Sequence, residues 1–154
     1  MNYHNITKED MLNGEGLRVV LWVSGCDHRC EGCHNPETWE RDSGIPFSES
    51  EKQEIFEELD KDFIDGITFS GGDPLETYNR EEVSAFIREI RQKYGFTKTI
   101  WIYTGYLYSD VMDMDIFKEK LVDVVVEGEY LESKGCRKLQ WVGSSNQNIV
   151  RLKR

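Results

Sequence analysis

Three of the four cysteines, Cys26, Cys30 and Cys33, fall within eight residues, in the stretch Val23-Ser24-Gly25-Cys26-Asp27-His28-Arg29-Cys30-Glu31-Gly32-Cys33-His34-Asn35. Thiolates gathered this closely suit a soft metal ion or an iron–sulfur cluster better than a packed core. An extended chain covers at most about 3.3–3.6 Å per residue, so a loop this short must curl to aim three sulfurs at one point. Gly25 and Gly32 permit the curl. The chemistry on offer is metal chemistry.

Three arrangements fit the spacing. Cysteines at i, i+4 and i+7 would share one helix face as inert buried thiols, but Asp27, His28, Arg29 and Glu31 would crowd charge around that stripe. A structural zinc site would need a fourth ligand from His28, His34 or Cys136, and only one C-x-x-C pair is present where zinc knuckles usually come in pairs. A 4Fe–4S cubane held by three thiolates would leave one iron open, and an open metal position lets a substrate complete the coordination. Elsewhere, Gly71-Gly72-Asp73-Pro74 reads either as an ordinary tight turn or as a close backbone approach to a polar ligand, with Asp73 accepting hydrogen bonds from an ammonium group. Trp141, beside a glycine and polar residues, is either a packing residue or the cover of a ligand pocket. Cys136, between Gly135 and Arg137, reads as an incidental thiol, and neither His28 nor His34 needs a catalytic role.

The elements that must position these residues alternate in type. The apolar, β-branched run 18–23 predicts a buried strand that ends in Ser24-Gly25. Ser48 and Glu51 form a capping box, after which Ile55, Phe56 and Leu59 mark a helix face. Residues 66–70 predict a second strand, halted by the Gly-Gly-Asp-Pro turn. Asn79 and Glu82 form another capping pair. Val83, Phe86, Ile87, Ile90 and Tyr94 then follow at helical spacing up to Gly95. Residues 99–103 and 121–126 predict two more strands, with a weaker helix over 109–120 between them and a short strand near 139–142. Strands alternating with amphipathic helices imply right-handed crossovers and a mainly parallel sheet. All four main strands end in a glycine-bearing turn, and in α/β sheets and barrels that C-terminal edge is where ligands bind.

Composition sets the bounds. At 154 residues with 38% hydrophobic and 12% aromatic content, the chain suits one globular domain over 1–154. A net charge of −10 argues against nucleic acid as a bulk partner. No run suits a membrane span and Met1-Asn2-Tyr3-His4-Asn5 has no signal character, so a cytoplasmic protein with reduced thiols is expected. Past Glu132 every charged residue is basic (Lys134, Arg137, Lys138, Arg151, Lys153 and Arg154), which reads as a docking surface for an acidic partner or as a solvated tail.

Cys26, Cys30 and Cys33 together with Gly71-Gly72-Asp73-Pro74 resemble the radical S-adenosylmethionine enzymes. More closely, the chain resembles the activating proteins of anaerobic ribonucleoside-triphosphate reductases. It shares Met1-Asn2-Tyr3, Asn13-Gly14-x-Gly16-x-Arg18, Cys33-x-Asn35 with Thr38-Trp39, Trp101-x-x-Thr104-Gly105-Tyr106 and Gly143-Ser144-Ser145-Asn146-Gln147. The resemblance implies an open β/α barrel with a 4Fe–4S cluster on Cys26, Cys30 and Cys33 at the C-terminal edge of the strands. S-adenosylmethionine would be held by Gly71, Gly72 and Asp73, by the backbone of Gly32, Cys33 and His34, and by Thr104 and Glu127. The implied partners are the large reductase subunit, which receives a glycyl radical, and reduced flavodoxin or a similar electron donor. Glu15, His34 and Val142 stand where the family usually has Pro, Tyr and Arg, and Glu127-Gly128-Glu129 replaces the usual Asp-Gly-Lys.

Overall fold

The computed structural model describes residues 1–135 and 139–152. Cys136, Arg137, Lys138, Lys153 and Arg154, which carry the fourth thiol and most of the basic C-terminal end, lie outside the described residues. The elements run β1 (Asn2–Asp10), β2 (Arg18–Val23), β3 (Ile45–Pro46), α1 (Glu49–Leu59), β4 (Gly66–Gly71), α2 (Arg80–Tyr94), β5 (Thr99–Tyr103), α3 (Tyr108–Val111), α4 (Asp115–Lys118), β6 (Val124–Glu127) and β7 (Asn148–Arg151). Among the described residues they form an α/β fold around one mixed, seven-stranded sheet in the order β3-β1-β2-β4-β5-β6-β7. The four central strands are parallel, as the alternation of strands and helices requires.

Alternation along each strand sorts side chains onto two faces. Val19, Leu21 and Val23 of β2, Ile67 and Phe69 of β4, Ile100 and Ile102 of β5 and Val125 of β6 join the core beneath the helices. Ile55 and Leu59 of α1 and Val83, Phe86, Ile87 and Ile90 of α2 fill that core from above, on the faces their spacing marks out. The intervening residues Trp22, Ser70, Tyr103 and Val126 line a cavity on the other face. The cap of α1 is present as expected, with the Glu51 carboxylate accepting the Ser48 backbone N–H at 2.8 Å and sitting well below its usual range, at about 2, through its bonds to Ser48.

Several boundaries differ from the sequence reading. Strand β1 carries no clean alternation: its ladder with β2 is bulged twice, Glu9 sits at φ 55°, and Tyr3 is its buried residue. Strand β7 lies antiparallel to β6, while residues 139–142, expected to be extended, form a loop in which Trp141 takes φ 65°. The helix expected over 109–120 is two single turns, separated where Met114 adopts an extended conformation. Asn79 does not cap α2. Its amide donates instead to Ser24 O at 2.9 Å and Asp73 O at 3.2 Å, and Glu82 binds the N-terminal amine.

Arg18 fastens the N-terminal ends of the parallel strands. It is fully buried, and its guanidinium donates to Thr68 Oγ1 (2.8 Å), Thr99 Oγ1 (2.7 Å), Ile67 O (2.8 Å), Thr99 O (2.9 Å) and Glu15 O (2.9 Å). It also lies over the Trp101 ring, 5.5 Å from its centroid. Burial lowers its pKa to about 10, so it stays a cation at neutral pH. Arg18→Met keeps the stem but strands these acceptors, and a loss of about 3 kcal/mol in unfolding free energy is expected in a urea titration. A loss below about 1 kcal/mol would show that the strand ends hold without it.

Candidate metal centre

The cysteine loop leaves β2 at Val23 and is tied down by main-chain bonds. Gly25 N–H donates to Thr38 O at 2.7 Å and Cys26 N–H to Trp39 O at 2.9 Å, while Cys33 N–H turns back to Cys30 O at 3.1 Å. The curl needs left-handed backbone at Gly25 (φ 100°), Arg29 (φ 49°) and Gly32 (φ 73°). Arg29 pays for its conformation with an ion pair to Glu40 at 2.8 Å.

Cys26, Cys30 and Cys33 are free thiols that line a single cavity of about 400 Å³ at the C-terminal ends of the parallel strands. Burial pushes the Cys26 thiol up to about 12 and raises Cys30 as well, so metal binding must displace protons from them. Three thiols from one loop, opening on the same space and unpaired with one another, fit the donor set of a 4Fe–4S cluster with one iron left for an outside ligand. Cys26, His28 and Glu76 also bring ligand atoms within 4.8 Å of one another. However, His28 Nε2 lies 2.7 Å from Asp73 Oδ2, and Glu76 Oε1 already accepts the Asp27 N–H at 2.9 Å.

The Gly71-Gly72-Asp73 turn presses against this loop backbone to backbone. Gly72 N–H donates to Val23 O at 2.9 Å and Asp73 N–H to Gly25 O at 2.7 Å. A Cβ on Gly72 would come within 2.5 Å of Gly25 O, so only glycine permits the approach. Asp73 is 1% exposed, and its carboxylate serves the protein's own donors. Oδ1 accepts Leu75 N–H at 2.8 Å, and Oδ2 accepts Thr104 Oγ1–H at 3.0 Å and Gly105 N–H at 2.9 Å besides meeting His28. An ammonium group reaching Asp73 would share an oxygen that three donors already hold.

The sequence-derived residues are not all brought together. Cys33, His34, Gly71, Gly72, Asp73 and Thr104 line the cavity with Cys26 and Cys30, and so does Trp141, whose carbonyl accepts the Tyr103 hydroxyl at 2.6 Å. Gly32 and Glu127 are not among the described wall residues. Alternation that turns Val126 toward the cavity turns Glu127 away, and Gly32 faces the Glu132 side chain instead. Glu129, which stands where the family pattern has Lys, does reach the wall, with Oε1 3.7 Å from His28 Nδ1.

Three residues of the site were not legible as such. His28 turns inward onto Asp73. Glu76, 2% exposed, accepts both Asp27 N–H and the Tyr106 hydroxyl, each at 2.9 Å. Asn79 ties Ser24 to Asp73. The spacing of Glu76 and Asn79 just past the Gly-Gly-Asp-Pro turn is the one signal that could have drawn attention to them. Because the Gly72 contact is with main chain, Gly72→Ala is expected to push the cysteine loop off the turn. Iron bound per chain after anaerobic reconstitution should fall by more than half. Unchanged iron content would place the loop's support elsewhere.

Comparison with known proteins agrees with this geometry. A family model described as a 4Fe-4S single cluster domain matches residues 12–150. The chain is 41% identical to the anaerobic ribonucleoside-triphosphate reductase-activating protein of Enterobacteria phage T4, over 97% of this chain and 93% of the phage protein. Proteins of the same name from Escherichia coli (37% identical, over 99% and 100% of the two chains) and Haemophilus influenzae (36%, over 99% of each) match along their whole length. With three thiols and a glycine turn sharing one strand-end cavity, and with these relatives matching end to end, the chain belongs to the family of anaerobic ribonucleoside-triphosphate reductase-activating proteins and carries that family's 4Fe–4S domain.

Proposed function

We propose that this protein activates an anaerobic ribonucleoside-triphosphate reductase by reductive cleavage of S-adenosylmethionine. The observation that carries the reading is the meeting of Cys26, Cys30 and Cys33 with the Gly71-Gly72 backbone in one cavity at the strand ends. When bound and reduced by an external one-electron donor, the 4Fe–4S cluster would supply the electron that splits S-adenosylmethionine into methionine and a 5′-deoxyadenosyl radical, the species that would take a hydrogen atom from a glycine Cα of the reductase.

This chain's residues position and enclose. Cys26, Cys30 and Cys33 would hold the cluster and leave one iron without a protein thiolate, open to the cosubstrate. The Gly71-Gly72 backbone, which lines the same cavity as the thiols, would meet its methionine end, while Asp73 fixes the turn through Thr104 and Gly105. Cys33 and His34 offer backbone to the adenine, and Trp141, Tyr103 and Trp22 give an apolar wall that limits water around a reactive intermediate. A glycine is a suitable target because its Cα has no side chain in the way and its flanking amides delocalise the unpaired electron.

Among the described residues the helices pack into the core on one face of the sheet and the cavity opens on the other, which suits an open-barrel description with the whole chain acting as one domain. A reduced flavodoxin or a similar one-electron donor and a cytoplasmic setting complete the proposal. No helix among the described residues is long and apolar enough to cross a membrane.

Anaerobically purified protein is expected to be brown, with iron and sulfide in near-equal amounts. Reduction in the presence of S-adenosylmethionine should yield 5′-deoxyadenosine, and addition of the reductase a glycyl radical signal by electron paramagnetic resonance. Single Cys26→Ala, Cys30→Ala or Cys33→Ala changes should lower 5′-deoxyadenosine formation at least 100-fold. A colourless protein holding zinc, or an iron protein that leaves the cosubstrate intact, would overturn the proposal.

A further inference from the structure

His28 lies midway between Cys26 and Cys30, yet it points into the protein with its side chain 12% exposed. Nε2 is 2.7 Å from Asp73 Oδ2 and 3.7 Å from Glu76 Oε1, and Nδ1 is 3.7 Å from Glu129 Oε1. The ring meets Tyr106 edge-on, centroids 4.7 Å apart, and packs so closely on Gly105 that an added Cβ there would come within 2.6 Å of it. One side chain of the cysteine loop therefore touches the turn after β4, the turn after β5 and the segment after β6.

The other ties of the loop to buried groups sit near its ends. Residues 25–27 are held by main-chain bonds to Thr38, Trp39 and Asp73 and by the bond from Asp27 N–H to Glu76. On the far side, Asn35 N–H lies 3.4 Å from Cys33 Sγ. Between Cys26 and Cys30 the other side chains are Asp27 and Arg29, and Arg29 pairs with Glu40 at 2.8 Å on the exposed surface, where Cys30 Sγ also lies 3.8 Å from Glu129 Oε2. His28 is what fastens this middle stretch to the interior, and its charge-assisted bond to a carboxylate is the strong kind.

We propose that His28 is a positioning residue. It clamps the thiol-bearing loop onto the Gly71-Gly72-Asp73 turn, so that the three sulfurs and the backbone that meets the cosubstrate keep one fixed register. Without it, Cys30 sits on a stretch held otherwise by its ends and by the surface contacts of Arg29 and Cys30, and Asp73 loses one of the donors that hold its carboxylate toward Thr104 and Gly105. This deepens the reading of the site as a 4Fe–4S centre that binds S-adenosylmethionine, and rests on it.

The test compares the reconstituted full-length protein with His28→Met, which fills the space without a donor, and His28→Gln, whose side-chain amide can reach Asp73. Iron release to a colorimetric chelator and the shift of the reduced cluster's electron paramagnetic resonance signal on titration with S-adenosylmethionine are read alongside circular dichroism. Expected are native circular dichroism for both variants, iron release about tenfold faster in His28→Met, and about tenfold more cosubstrate needed for the spectral shift. His28→Gln should return both values to within about threefold of the parent, a rescue that a space-filling role would not give. If His28→Met matches the parent in both readings, or if Met and Gln are equally impaired, the clamp is wrong. If the parent itself shows no response to S-adenosylmethionine, the proposed function falls, while the chelator comparison still decides the clamp.

Discussion

Two stretches of main chain, residues 23–26 and 71–73, lie against each other with no side chain between them, and the site depends on that contact. Parallel pairing of β2 and β4 brings Val23 level with Gly71, and the bonds from Gly72 and Asp73 to Val23 O and Gly25 O carry the contact one step past the sheet. A sheet edge can bind a ligand in a general way, but only where two strand ends approach this closely can a metal-binding loop and an amide-rich turn serve one ligand. The glycines are the means, since a single methyl group at residue 72 would meet a carbonyl oxygen.

Around this contact the protein builds a polar frame that is internal to itself. Asp73 and Glu76, both nearly fully buried, accept hydrogen bonds from backbone and side chains of the cysteine loop and of the segment after β5. Buried carboxylates are costly unless every oxygen finds a donor, and here each does. Asn79 adds a further tie by spending its amide on Ser24 and Asp73 carbonyls rather than on its own helix. These groups tie the cysteine loop, the glycine turn and the segment after β5 into one hydrogen-bonded frame.

Much of this plan can be read in the residues. The runs in β2, β4 and β5 are β-branched and apolar because both faces are covered, and the spacing of Val83, Phe86, Ile87 and Ile90 announces the buried side of α2. The cysteine triplet points to an iron–sulfur site before any coordinates, in agreement with the family model. What escapes is what is polar and non-local. β1 is a twice-bulged strand next to the sheet edge whose residues are mostly half-buried on both sides, so it carries no alternation to detect, and β7 is short. Asn79 has the composition of a helix cap, yet tertiary partners outbid the local one. Likewise His28 reads as one more charge in a polar loop, because its partners are 45 and 48 residues away.

The division of the sheet into a packed face and a cavity face rests on a period of two. Thr68 and Ser70 alternate with Ile67 and Phe69 along β4, so neighbouring residues answer to different demands: the apolar pair fills the core, while Thr68 bonds Arg18 and Ser70 lines the cavity. Inserting a single residue near the start of such a strand would exchange every one of these assignments, sending aromatic and aliphatic bulk toward the thiols and hydroxyls into the hydrocarbon interior. Length within the strands is therefore under tighter restraint than residue identity at most positions, and variation in this protein has its room in the connections.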